Sequence, residues 1–165
     1  MRIFDDLWFI IGEMKAGIDY IGVGVVLVCH DGNGRLFLNK RSKKCRDEWG
    51  RWDNCGGAME FGETSDEAMR RELMEEYGCR PVSWQRGEVV EMRKVNEKNE
   101  AVHWVHLTFL VEINPDEAHN NEQHKFEEVR WFALDSLPEP RHSWFERDWR
   151  AIEQAWSEFY DNKSL

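Results

Sequence analysis

Three glutamates, Glu72, Glu75 and Glu76, stand at positions i, i+3 and i+4 of a stretch with helical character, so their carboxylates leave one side of that helix. Glu63, just upstream, reaches back toward the same place. Like charges crowded this way repel one another unless something positive sits among them. A hard divalent cation bound through oxygen meets that need, and Mg²⁺ typically keeps several waters and bridges to phosphates. Gly56 and Gly57, ahead of the helix, let the backbone turn sharply and offer a carbonyl as another hard ligand. The chemistry such a set supports is metal-assisted hydrolysis at phosphorus, with a carboxylate taking the proton of water. The plain alternative is a solvated acidic face, for which the Glu67–Arg71 pair at i, i+4 is ordinary support.

The elements that must position these groups are legible around them. Thr64 with Glu67 three residues later forms a capping box, and Gly78 supplies a stop, which predicts a helix over 65–77. Residues 20–29 are almost all apolar and valine-rich, a strand buried on both faces. The turn Asp31-Gly32-Asn33-Gly34 returns the chain into Leu36-Phe37-Leu38 as a hairpin. Gly22 and Gly24 share one face of the first strand and mark either a bulge or a wall facing a ligand. Residues 42–55 read as polar and turn-like. Strands are expected over 87–97, 101–113 and 126–134, the second covered on both sides. Pro138 and Pro140 then break the chain. Ser143 with Glu146 suggests a second capping box, and Phe145, Trp149, Ile152, Trp156 and Phe159 form the apolar stripe of a final helix. At the other end, Phe4, Leu7, Trp8, Ile11 and Met14 recur at helical spacing. Strands flanked by helices make an α/β fold, a sandwich around a mixed central sheet, the natural architecture.

Composition narrows the partners. A chain of 165 residues fits one domain over 1–165, with 1–19 an N-terminal extension and 141–165 a C-terminal helix. The formal net charge of −10 supplies no broad basic surface, which argues against a nucleic-acid polymer and leaves a small phosphorylated substrate. The apolar run Leu7–Ile11 is too short to span a bilayer and lacks the flanks of a signal peptide, so no membrane partner is expected. Cys29, Cys45, Cys55 and Cys79 show neither a CxxC pair nor metal-ligand spacing, the pattern of structural thiols in a reduced, cytoplasmic protein.

The central stretch reads Gly57, five residues, Glu63, seven residues, Arg71-Glu72-Leu73, one residue, Glu75-Glu76, one residue, Gly78 and then Cys79. It resembles the signature of the Nudix (MutT-like) hydrolases at every specified position. The resemblance implies a Nudix-type α/β/α sandwich and hydrolysis of a nucleoside diphosphate linked to another moiety, with Mg²⁺ or Mn²⁺. It implies Glu72 and Glu76 as principal metal ligands, Glu75 as a further ligand or the group orienting water, and the Gly56 carbonyl as an additional ligand. Either Glu72 or Glu75 deprotonates the attacking water. Arg71 orients Glu72, while Glu63 braces the loop that Gly57 begins. Cys55 departs from the family, which often has proline there; that loosens the loop without removing a ligand.

Further resemblances point toward the nucleoside-triphosphate pyrophosphatase branch: Gly22 to Val26, Lys40-Arg41, Glu60 to Thr64, and Glu122 to Glu127 before Trp131. They imply Arg41 as a phosphate contact, against a surface arginine, and Glu122 as a metal-side acid, with Glu127 and Glu128 as alternatives. A small nucleotide cleaved to monophosphate and pyrophosphate is the expected substrate. An ADP-ribose or nucleotide-sugar pyrophosphatase and a non-catalytic nucleotide-sensing module are the competing readings, and a homodimer stays open. On the strand over 101–113, His103 shares a face with Val105, Leu107 and Phe109, as a core histidine would, and Trp104 either stacks on a base or packs.

Overall fold

The computed structural model describes residues 14–96 and 98–163. In chain order the elements are β1 (Gly22–His30), β2 (Arg35–Arg41), β3 (Trp52–Asp53), β4 (Cys55–Ala58), α1 (Ser65–Tyr77), β5 (Pro81–Val95), β6 (Ala101–Ile113), β7 (Phe126–Ala133), a 3₁₀ turn (Leu134–Ser136) and α2 (Phe145–Lys163). The seven strands form one mixed sheet, five of them in the order β3-β2-β1-β6-β5, with β4 paired to β1 and β7 to β2 off that path. All its pairings are antiparallel except β1 with β6, which run parallel from Gly22↔Trp104 to His30↔Glu112.

Side-chain alternation explains why β1 and β6 are apolar throughout. Val25, Leu27, Cys29, Phe109 and Val111 pack beneath α1 with Met69, Leu73 and Tyr77. Val28 and Leu110 face the other way and meet Phe145, Ile152 and Ala155 of α2. Successive residues of a strand point to opposite faces, so a sheet covered by a helix on each side needs apolar residues at both parities. The result is the expected α/β/α sandwich.

The edge of β1 is used twice. Cys29 and His30 pair with β2, whereas Gly24 to Leu27 pair with β4. β2 has by then moved away to pair with β7 and β3. This splay admits Cys55-Gly56-Gly57 between strand and helix, directly ahead of α1.

The helix over 65–77 forms as its caps require. Thr64 accepts from the Glu67 amide, the Glu67 side chain accepts from the Thr64 amide, and Gly78 ends the helix at φ 64°. The final helix and its aromatic stripe form too, but the second capping box does not: Ser143 Oγ donates to Glu48 Oε1 at 2.7 Å, and Glu146 pairs with Arg141 at 3.0 Å. The segment 42–55 ends in the short strands β3 and β4, which are too short to show a period, and β5 starts earlier than expected. Most of the expected N-terminal helix falls outside the described residues; Met14 lies outside any helix, and Ala16 and Tyr20 close a turn. Among the described residues no helix is long and apolar enough to cross a membrane.

Candidate active site

The buried side of α1 carries two of the three glutamates. Glu72 is 6% exposed and Glu76 1%, while Glu75 is half-exposed. Each buried acid has a cation against it. Arg71 Nη1 donates to Glu72 at 2.8 Å and to Glu75 at 3.2 Å, and its other nitrogens hold Glu63 at 2.7 and 3.1 Å and the Ala58 carbonyl at 2.9 Å. The Arg71 contact holds Glu63 below its ordinary carboxylate value, and the carboxylates in turn hold Arg71 in its charged form. On the far side of the cluster, Lys125 Nζ donates to Glu76 Oε1 and lies 3.0 Å from Glu122 Oε2. Burial pushes the Glu76 carboxyl up to about 7 despite the Lys125 ammonium. Burial opposes the charge on Lys125, yet Glu76 and Glu122 together raise it above its ordinary value. Burial likewise raises Glu72.

Gly56 and Gly57 close the other side. The Gly56 amide donates to Glu76 Oε2 at 3.1 Å. A Cβ on Gly57 would overlap the Glu72 carboxylate, so glycine there lets backbone and acid meet. Among the described residues no three His, Cys, Asp or Glu side chains stand as a ready metal cage. Arg71 and Lys125 hold the acids apart in pairs. The donor set, three helix carboxylates and backbone carbonyls around a glycine cradle, is nevertheless the all-oxygen chemistry that hard divalent cations take.

A cavity of about 270 Å³ opens beside this cluster. Glu76, Cys55, Gly56, Gly57 and Lys125 line one part, and Met92, Lys94, Trp104, Trp144 and Asp148 line another. Arg41 is in its wall, but not as a free surface arginine: its guanidinium donates to Asp53 and Asp47 at 3.0 Å each and to the Asp47 carbonyl at 3.0 Å. Neither Gly22 nor Gly24 lines the cavity, against the reading of that strand face as a wall facing a ligand. A Cβ on Gly22 would overlap the Trp104 indole, and one on Gly24 would come within 2.7 Å of the Gly57 carbonyl oxygen. Both glycines serve close packing.

Glu122 joins the carboxylate cluster through Lys125. Glu127 pairs with Lys40 and Glu128 with Arg130 instead. His103 is not the core histidine that its strand face suggested. His103 is partly exposed and lies 3.1 Å from Glu91, whereas His106 lines the cavity and burial lowers it to about 4. All four cysteines are buried free thiols, as expected of structural residues.

Sequence reasoning missed Lys125, Asn54 and Asp148. Lys125 had a signal: a buried glutamate needs a counter-ion, and Lys125 lies three residues from Glu122. Asp148 had one as well, since it falls on the side of α2 that carries Ile152 and Ala155, where an acid is out of place. Asn54 precedes the glycine loop without any pattern to mark it.

A mixed sheet between two helices, with a glycine loop feeding a carboxylate helix, defines a Nudix-type hydrolase. The NUDIX domain matches residues 21–154, and the chain belongs to that family. It is 33% identical over 113 residues to nucleoside triphosphatase NudI of Enterobacter sp. (strain 638), covering 64% of this chain and 77% of the relative. It is 31% identical over 118 residues to the oxidized purine nucleoside triphosphate hydrolase of Danio rerio, covering 69% and 67%. The crystal structure of a MutT NUDIX hydrolase from Burkholderia pseudomallei superposes with a TM-score of 0.69 at 28% identity, covering 79% of this chain and 97% of that one.

Proposed function

We propose that this Nudix hydrolase cleaves a ribo- or deoxyribonucleoside triphosphate to the monophosphate and pyrophosphate, using Mg²⁺ or Mn²⁺. The observation that carries this reading is the single cavity in which Glu76, Gly56 and Gly57 share a wall system with Trp104 and Trp144. One space thus borders both the carboxylate helix and aromatic side chains able to face a base. The relatives named as triphosphatases support the same substrate class.

In this reading Glu72, Glu75, Glu76, Glu122 and the Gly56 carbonyl would hold the metal. When bound, such an ion neutralises phosphate oxygens and acidifies water. The chain's own groups do the rest. Arg71 fixes the rotamers of Glu72 and Glu75 by donating to both, and Glu63 fixes Arg71. Glu72 or Glu75 accepts the proton as water adds across one phosphoanhydride bond. Lys125, which pairs with Glu76, would be free to face the phosphates if a metal cation took its place there. Arg41 holds the loop at the cavity mouth through Asp47 and Asp53, so Arg41→Ala removes two ion pairs along with a cation.

The test is a panel of NTPs, dNTPs, ADP-ribose and nucleotide sugars with Mg²⁺, scored for pyrophosphate and phosphate release. Pyrophosphate from at least one triphosphate, faster than any turnover of ADP-ribose, is expected. Faster turnover of ADP-ribose or a nucleotide sugar than of every triphosphate refutes the proposal.

A further inference from the structure

An α-helix leaves its last four carbonyls without partners inside the helix. In α1 these belong to Met74, Glu75, Glu76 and Tyr77, and no basic residue stands in the last turn to meet them. The left-handed cap at Gly78 returns one amide, to the Met74 carbonyl at 3.1 Å. The other three are met by a loop far along the chain, between β6 and β7. The His119 amide donates to the Tyr77 carbonyl and the Asn121 amide to the Glu76 carbonyl, both at 3.0 Å. The Asn121 side-chain amide completes the set, donating to the Glu75 carbonyl at 3.0 Å and the Met74 carbonyl at 3.1 Å.

The same loop brings two charged groups to the carboxylate cluster. Glu122, the residue after Asn121, lies 3.0 Å from Lys125, and Lys125 reaches Glu76. A turn holds the two together, the Lys125 amide donating to the Glu122 carbonyl at 2.8 Å. The cluster is thus assembled from two segments, and their relative placement decides where Glu122 stands against Glu75 and Glu76. Asn121 grips the helix end next to those two acids. It is exposed and lines neither the core nor the cavity, so its contribution is its hydrogen bonds and not its packing. Donors at this negative end of the helix also offset its field where the carboxylates crowd.

We propose that Asn121 is a positioning residue for the metal-dependent reaction. By holding the Met74 and Glu75 carbonyls, it sets Glu122 and Lys125 in register with the helix carboxylates. It acts through Glu122 and touches neither substrate nor metal. The inference rests on the carboxylate metal site of the reading above and is indifferent to which nucleotide is cleaved. Groups that orient a metal's ligands from outside typically govern its affinity by about tenfold or more.

Titration with Mn²⁺ followed by electron paramagnetic resonance reads the site without turnover. Asn121→Ala is expected to weaken Mn²⁺ binding about tenfold while circular dichroism stays native. Glu122→Gln should weaken it as well. Adding Asn121→Ala to Glu122→Gln should weaken it little further, because the first acts through the second; a general loosening of the loop would add in full. Asn121→Gln keeps the amide donor on a longer arm and should retain most of the affinity. Wild-type affinity in Asn121→Ala or in Glu122→Gln overturns the proposal. So does a loss repeated in full on the Glu122→Gln background, or an Asn121→Gln variant as weak as Asn121→Ala. A wild type that binds no Mn²⁺ overturns it together with the metal site. The expected coupling in Mn²⁺ binding, with ADP-ribose turned over faster than every triphosphate, would sink the triphosphate reading and leave Asn121 in its role.

Discussion

The carboxylate cluster and the cavity it borders treat buried polarity in opposite ways. In the cluster, each buried or half-buried carboxylate already touches a cation: Glu63, Glu72 and Glu75 share Arg71, and Glu76, the one of the four that lines the cavity, takes Lys125. Across the cavity, Trp104, Trp144 and His106 keep ring nitrogens unpaired among the described residues. Charge is costly to bury alone, whereas a neutral donor or acceptor costs less. The carboxylate wall must therefore be balanced before any ligand arrives. The neutral wall can wait for one.

The largest effect that tests this contrast is on rate. Glu72→Gln and Glu76→Gln keep shape and helix propensity while removing a hard ligand charge, and each should lower turnover by roughly two to four decades. Circular dichroism should stay native. Near-normal activity in both variants would remove the carboxylate wall from the chemistry.

Next in size is the loss of a balancing cation. Lys125→Met leaves Glu76 buried without its ammonium, and should cost about 1–3 kcal/mol of unfolding free energy in EDTA, less than a fully buried pair because Lys125 is 31% exposed. Millimolar Mg²⁺ should recover much of the loss by binding the freed carboxylates. A loss equal in EDTA and in Mg²⁺ would mean that Lys125 and the metal do not compete.

The smallest effect belongs to the neutral wall. His106 is lowered by burial to about 4 from an unfolded value of 6.5, so its contribution to stability is complete above pH 6.5 and is lost as the pH falls toward 4. His106→Gln removes that titration. Urea unfolding should show a shallower decline for the variant than for wild type between pH 6.5 and 4.5, and parallel slopes would contradict the assignment.

The difference between the walls also sets what the sequence reveals. The carboxylate wall lies within one helix and its cap, where spacing alone puts Glu72, Glu75 and Glu76 together and places Arg71 beside them. Local periodicity carries such information. The neutral wall is assembled from Asn54, Trp104 and the Trp144–Asp148 segment, three separate parts of the chain. No period links the three, and only the closed sheet brings them together. The sheet was legible where strands were long: β1, β6 and β7 follow from apolar runs, while β3 and β4 have two and four residues and leave no pattern. Gly22 and Gly24 show the same limit from the other side. Their small size was readable, but whether a ligand, an indole or a carbonyl fills the space depends on residues far along the chain.

The parallel ladder between β1 and β6 has a consequence for how the chain comes to be folded. Gly22 meets Trp104 and His30 meets Glu112, partners roughly 80 residues apart, so closing that ladder carries a high entropic cost. During synthesis, β1 emerges long before its central neighbour exists, and its unpaired valines must wait through the making of α1 and β5. The carboxylate helix can fold from its own caps in that interval. Asp148 follows β6 and β7 in the chain, so a chain interrupted before it has the carboxylate helix without this part of the cavity lining.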